Sequence, residues 1–231
     1  MVILGIIPAR GGSKGIPGKN LVSVAGRPLI SHTFDAARAS RRLTRVVLST
    51  DSDRIAALGR AEGIDVPFMR PPALAADDTP MLDVLQHAVT SIEPLAELVV
   101  LLQPTSPLRR PEHIDAAIAL LENTGADSVV SVVAVPHQFT PGSLMRIAGA
   151  RIVPYTSDAT ATRRQDKPVL YARNGPAVVV TRASVLASGR LYGDDTRPFV
   201  MSREDSVDVD EPFDLEIAEA LLARRRRIAV V

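Results

Sequence analysis

The most constraining feature of this sequence is a series of short β-rich or continuously apolar runs, with segments of helical periodicity between them. The runs are Val2 to Ile7, Arg45-Val46-Val47-Leu48-Ser49, Leu98 to Leu102, Ser128 to Val133 and Ala177 to Val180, and Val66 to Met69, ahead of Arg70, also reads as a strand. A strand that is apolar on both faces must be covered on both faces, as parallel sheets are. Between the runs lie Pro28 to Ala39, Asp53 to Glu62, Met81 to Ile92, Pro111 to Glu122 and Pro212 to Arg227. Their apolar residues recur at helical spacing, and their ends carry Pro starts or a Gly63 stop. Strand and helix in alternation predict an α/β, Rossmann-like open sheet, mostly parallel, with helices on both faces. The 231 residues fit a single domain, with residues 135–173, rich in Pro, Thr and Arg, as an irregular excursion. Such a sheet binds ligands beyond the carboxyl ends of its strands, which directs attention to the residues after Ile7, Ser49, Leu102 and Val180.

The segment after the first run reads Pro8-Ala9-Arg10-Gly11-Gly12-Ser13-Lys14-Gly15-Ile16-Pro17-Gly18-Lys19-Asn20. Glycines let a backbone come close to a ligand, and successive N–H groups form a hollow for anions. Arg10, Lys14 and Lys19 add positive charge. Only three of the 27 basic residues are lysine, and two of those three fall in this loop. A mobile ammonium suits phosphates that shift during a reaction, so the loop predicts a polyphosphate cradle. It is neither a Walker loop, because Ser13 and Asn20 stand at positions that motif needs as Gly and Ser or Thr, nor a dinucleotide G-x-G-x-x-G.

Asp208 and Asp210 flank Val209. In extended chain, residues two apart share a side, so both carboxylates can meet one hard cation; an acidic start to the following helix is the competing explanation. Gln103 follows an all-apolar run at a ligand-facing position, in a loop stiffened by Pro104 and Pro107. Arg163, Arg164, Lys167 and Arg173 form a second basic cluster, suited to a carboxylate or phosphonate, with a solvated loop as the competing explanation. Arg224 to Arg227 end a helix, where cations oppose its dipole.

Several function classes are excluded. With 27 basic and 26 acidic residues the net charge is +1, which does not suit gripping nucleic acid. The chain has no cysteine, which removes disulfides, thiol nucleophiles and cysteine-based zinc sites, and a cytoplasmic location is expected of an unstapled chain. The apolar start, broken at Pro8, fits neither a signal peptide nor a membrane span.

The loop resembles the signature of the acylneuraminate cytidylyltransferases, the CMP-sialic acid synthetase family. Further matches follow in order: Ser49-Thr50-Asp51, Arg70-Pro71 with Leu74-Ala75 and Asp77, Leu101 to Arg109, Asn174-Gly175, and Asp205 to Asp210. The resemblance implies a fold of the nucleotide-diphospho-sugar transferase type. It also implies a homodimer built through the excursion, and a reaction of CTP with an acidic acceptor to give a CMP-conjugate and pyrophosphate. The nucleotide would be held by Ala9, Arg10, Gly11, Gly12, Ser13, Lys14, Lys19, Asn20 and Arg70, and Mg²⁺ by Asp208 and Asp210. Gln103, Arg164, Arg173 and Asn174 would hold the acceptor, with Arg109 in a supporting ion pair. Arg10, Lys19 and Asp208 would be catalytic.

On the acceptor side the chain departs from the family. Tyr171-Ala172-Arg173-Asn174-Gly175 displaces the expected arginine by one residue, and Leu191-Tyr192 carries one aromatic where two are usual. A small phosphonate is therefore an alternative to a nonulosonic acid. A non-catalytic nucleotide sensor and a sugar-1-phosphate transferase using another nucleotide are further readings.

Overall fold

A computed structural model of the chain describes residues 1–156 and 168–229. The core is one twisted sheet. Strand β1 (Ile3–Pro8) pairs in parallel with β4 (Arg45–Ser49) on one side and β5 (Leu98–Leu101) on the other. Strand β10 (Val179–Arg182) lies antiparallel between β5 and β6 (Ser128–Ala134), and β11 (Thr196–Met201) closes that edge parallel to β6. The spatial order is β11-β6-β10-β5-β1-β4, with β9 (Tyr171–Arg173) added antiparallel to the far end of β6. The sheet is thus open and mostly parallel, as the pattern of apolar runs predicts.

The continuous apolar runs are explained by alternate burial on the two faces. Ile3 and Ile7 of β1 pack with Phe34 of α1 (Leu29–Ala39), Ile55 of α2 (Asp53–Ala61) and Ile118 of α4 (Pro111–Thr124). Leu4 and Ile6, between them in sequence, pack with Leu85 of α3 (Met81–Thr90) and Leu186 of α5 (Ala183–Ala187) on the opposite face. Each of these side chains is essentially removed from water, a contribution of about 1.5–3 kcal/mol apiece before chain entropy is charged against it.

Two expectations are corrected. Val66 to Met69, which reads as a strand, is not one: only Asp65 bridges to Val47, and Pro67 has no N–H to continue a ladder. Strand β10 runs against its neighbours, so the residues after Val180 leave from the opposite edge of the sheet, where the Arg182 N–H meets the Asp127 carbonyl. The chain reaches the ligand-binding edge before β10, at Asn174-Gly175.

Within the excursion, β7 (Met145–Ala148) and β8 (Arg151–Pro154) form a separate antiparallel hairpin. A further hairpin of β2 (Ser23–Val24) and β3 (Arg27–Pro28) follows the first loop. It joins a small third core in which Ile16, Val24, Leu29 and Val209 pack against Ala218 of α6 (Pro212–Ala229).

Candidate active site

The carboxyl ends of β1 and β5 open onto a cleft of about 450 Å³. Its lining includes Arg10, Ser13, Lys14, Lys19 and Asn20 from the first loop, Arg70, Gln103, and both Asp208 and Asp210. With Asp77, the chain thus gathers four cations, three carboxylates and two amides around a single space from four separated segments.

The first loop is held rather than loose. The Ala9 N–H continues the ladder to the Ser49 carbonyl at 2.9 Å, and the Gly11 N–H donates to Asp51 Oδ1 at 2.8 Å. Asn20 Nδ2 donates to the Arg10 carbonyl at 3.0 Å, closing the loop on itself. Ile16 is buried against Val209, which fastens the loop to the Asp208–Asp210 segment by apolar contact. Gly15 allows that contact: a Cβ there would meet the Asp210 carbonyl at 2.5 Å. Lys19 spans the same junction, donating to the Val209 carbonyl at 2.8 Å and to Asp210 Oδ1 at 3.0 Å.

Asp208 lies deeper than Asp210. The Val209 N–H bonds the Thr105 carbonyl at 2.8 Å, which sets Asp208 against the Gln103–Ser106 loop. Its carboxylate approaches Gly175, whose φ of 111° and missing Cβ make room; a Cβ there would stand 3.1 Å from Asp208 Oδ1. Burial pushes the Asp208 carboxyl above its ordinary value, opposed by Thr105 and reinforced by Asp210, with Lys19 opposing in turn. Asp208 Oδ1 is buried without a hydrogen-bond partner among the described residues. An orphaned carboxylate oxygen is costly, and a cation is its natural complement. Asp210 already accepts one cation, the Lys19 ammonium. The pair therefore fits a hard metal ion, although no cluster of three or more candidate ligands occurs among the described residues.

Arg70 reaches the cleft from the segment after Asp65. It is buried, with Nε donating to Ser49 Oγ at 3.1 Å and Nη2 to the Ser49 carbonyl. Burial pushes its guanidinium down to about 10, with Asp51 pulling the other way. A buried cation at the floor of an anion cradle is a standing attraction for negative charge.

The Gln103 loop is supported from below. Gln103 Nε2 donates to the Gly175 carbonyl at 3.0 Å. Arg109 is fully buried, and its hydrogen bonds go to the carbonyls of Gln103 (3.0 Å) and Ala177 (2.6 Å) and to Thr33 Oγ1 (2.6 Å). The expected ion pair is therefore absent among the described residues: Arg109 ties the loop to the segment entering β10 and to α1 through uncharged oxygens.

Other expected site residues lie elsewhere. Ala9, Gly11 and Gly12 shape the loop but do not line the cleft. Asn174 is buried, accepting from Ser131 Oγ at 2.7 Å and donating to Ser206 Oγ at 2.9 Å, so its amide is spent on the fold. Arg173 is exposed on β9, over the Tyr192 ring at 5.7 Å. Arg163, Arg164 and Lys167 lie outside the described residues. Arg224 pairs with Glu204, and Arg225 with Asp205 and the Leu108 carbonyl, so this run fastens α6 to the body.

Two contributors had no role assigned from sequence. Asp51 anchors the Gly11 N–H, and Asp77 pairs with both Arg10 and Lys14. Both stand in recognisable motif positions, but nothing in their spacing shows which backbone or cation they meet.

Comparison with known proteins agrees with this geometry. The sequence model of a family described as Cytidylyltransferase matches residues 4–221. The CMP-N,N'-diacetyllegionaminic acid synthase of Legionella pneumophila is 35% identical over 228 residues, covering 96% of this chain and 97% of that protein. The N-acylneuraminate cytidylyltransferase of Escherichia coli is 30% identical over 97% of this chain, which spans only 53% of that longer relative. A solved structure of CMP:2-keto-3-deoxy-manno-octonic acid synthetase complexed with CTP shares the fold, with a TM-score of 0.73 at 20% identity, covering 97% of this chain and 100% of that one.

Proposed function

The chain belongs to the cytidylyltransferase family and is a CTP-dependent nucleotidyltransferase, and from that premise we propose its acceptor, its metal and the residues that act. The acceptor is an acidic sugar, an N-acylneuraminate or a related nonulosonic acid. The observation that carries this reading is the cleft itself, where three loop cations, the Asp208–Asp210 pair and Gln103 face one space.

Arg10, Lys14 and Lys19 hold the β- and γ-phosphates, and Arg70 adds positive potential at the floor. The acceptor hydroxyl oxygen attacks the α-phosphorus as the bond to the pyrophosphate oxygen breaks, and the hydroxyl proton passes to the Asp208 carboxylate. Charge gathers on the departing pyrophosphate, where preorganised cations lower the barrier most. Asp208 and Asp210 would hold Mg²⁺, which when bound supplies further neutralisation of that charge. Gln103, which lines the cleft, orients the acceptor.

The excursion serves a homodimer in this reading. Ile147 is 85% exposed and Ile152 67%, side by side on the β7–β8 hairpin, and Tyr155 follows, also exposed. Apolar residues grouped this way on a soluble fold mark an interaction surface. Among the described residues no helix is long and apolar enough to cross a membrane. A cysteine-free enzyme that consumes a nucleoside triphosphate suits the cytoplasm.

The test is pyrophosphate release with CTP and Mg²⁺ against N-acetylneuraminate, other nonulosonic acids, a 3-deoxy-ulosonate and small phosphonates. Turnover with a nonulosonate supports the reading. Turnover only with a phosphonate overturns the acceptor class, and CTP binding without turnover on any acceptor overturns the proposed transfer.

A further inference from the structure

All three loop cations already have a carboxylate partner: Lys19 has Asp210, while Arg10 and Lys14 share Asp77. Asp77 Oδ1 lies 2.6 Å from Arg10 Nη1, and Asp77 Oδ2 lies 2.8 Å from Lys14 Nζ. The carboxylate therefore spans the two groups that a polyphosphate would need. Asp77 belongs to the segment between Arg70 and α3, an exposed stretch with a short 3-10 turn at Pro72–Leu74. That segment forms one wall of the cleft through Leu74, Ala76, Asp77 and Thr79. The Lys14 ammonium holds the Asp77 carboxyl below its ordinary value, with Arg10 adding to the effect, so it is anionic at neutral pH.

We propose that Asp77 is an internal competitor for the polyphosphate: it occupies Arg10 and Lys14 in the free enzyme, yields them to the triphosphate of CTP, and reclaims them to expel pyrophosphate. This rests on Arg10 and Lys14 being phosphate ligands, as read above. The physical basis is a balance. Partly exposed ion pairs are weak, so a triphosphate that is also held through its nucleoside displaces Asp77 readily. After transfer, pyrophosphate has lost its covalent link to the nucleoside and keeps only the charge contacts. Asp77 is tethered a few ångströms away at high effective concentration, and the contest turns in its favour. The rule also makes the cleft selective, because a nucleoside monophosphate brings too little charge to the loop to displace the carboxylate.

The experiment is calorimetric titration of the full chain with inorganic pyrophosphate and with CTP, together with product inhibition by pyrophosphate. Asp77→Asn removes the competing charge and keeps the size. It is expected to bind pyrophosphate about fivefold more tightly than wild type and to show correspondingly stronger pyrophosphate inhibition. Asp78→Asn, an exposed neighbour outside the cleft lining, is expected to match wild type. Unchanged or weaker pyrophosphate binding in folded Asp77→Asn, checked by circular dichroism, overturns the proposal and makes Asp77 a support for the two cations. Lys14→Ala separates the premise from the proposal. Pyrophosphate binding that is indifferent to Lys14→Ala would overturn the phosphate assignment, and the competitor role with it.

Discussion

The first loop and the β7–β8 part of the excursion both lie outside the main sheet in glycine- or proline-rich, cationic stretches, yet the fold treats them in opposite ways. Between Ala9 and Asn20, backbone groups find partners in Ser49, Asp51 and the loop's own Asn20, and Ile16 reaches a core. In the β7–β8 hairpin seven of the eight residues are exposed, and the apolar side chains of Ile147 and Ile152 face water. The comparison teaches that a charged loop becomes a rigid binding surface when its polar backbone is satisfied and one apolar side chain is anchored. A hairpin whose apolar residues find no cover among the described residues leaves an unpartnered apolar surface.

The largest effect separating the two regions is expected at Asp208. Asp208→Asn should lower kcat by about a thousandfold, as loss of a preorganised charged group at a reacting centre does, with folding retained by circular dichroism. A variant turning over at the normal rate would remove Asp208 from the chemistry.

Next in size is Gly15→Ala. The added methyl collides with the Asp210 carbonyl and must push the loop and the aspartate pair apart. A displacement of that order is expected to cost about a hundredfold in kcat/KM for CTP. An unaffected variant would show that the junction is compliant and that the contrast with the hairpin is overstated.

The opposite outcome is expected in the excursion. Ile147→Asp with Ile152→Asp should convert a dimer to a monomer by light scattering, while CTP binding stays within about twofold, as for surface changes remote from a site. A large loss of CTP affinity would mean that the two regions are not independent.

The smallest effect concerns acid stability of the anchored body. Burial holds His32, His87 and His113, on α1, α3 and α4, below the ordinary histidine value, most directly opposed at His113 by Asp205. Between the folded and ordinary values the unfolded chain binds more protons, so stability rises with pH and falls on acidification through that window. The thermal midpoint should therefore drop as pH is lowered below about 6.5. His113→Gln, which can still accept from the Arg110 N–H, should recover about 2–4 °C of that loss. A midpoint independent of pH across this range would refute the burial argument.

The legibility of this molecule follows the same division. Runs such as Val2 to Ile7 were readable because every residue in a doubly covered strand must be apolar, and α1, α2 and α4 because their caps and periodicity are local. The loop cations, Gln103 and the aspartate pair were readable from their residue types and positions, Asn20 and Arg70 only through the family resemblance, and all of them line one cleft. The direction of β10 was not readable, since Ala177 to Val180 is equally apolar in either sense; pairing with β5 and β6 decided it. Asn174 was expected at the acceptor through the resemblance alone; an amide serves ligands and folds equally well, and the positions of Ser131 and Ser206 show its use here. Arg109 looked like half of an ion pair for a similar reason.

What the sequence determined alone is therefore what rests on local chemistry and period: an α/β sheet covered on both faces, a cationic glycine loop after the first strand, and paired carboxylates near the end. Tertiary structure decided which groups face one another across distance. It set Lys19 on Asp210, Gly175 under Asp208, and Asp77 between Arg10 and Lys14. Charges and hydrogen bonds act over a few ångströms in space, and separation along the chain carries no record of that distance.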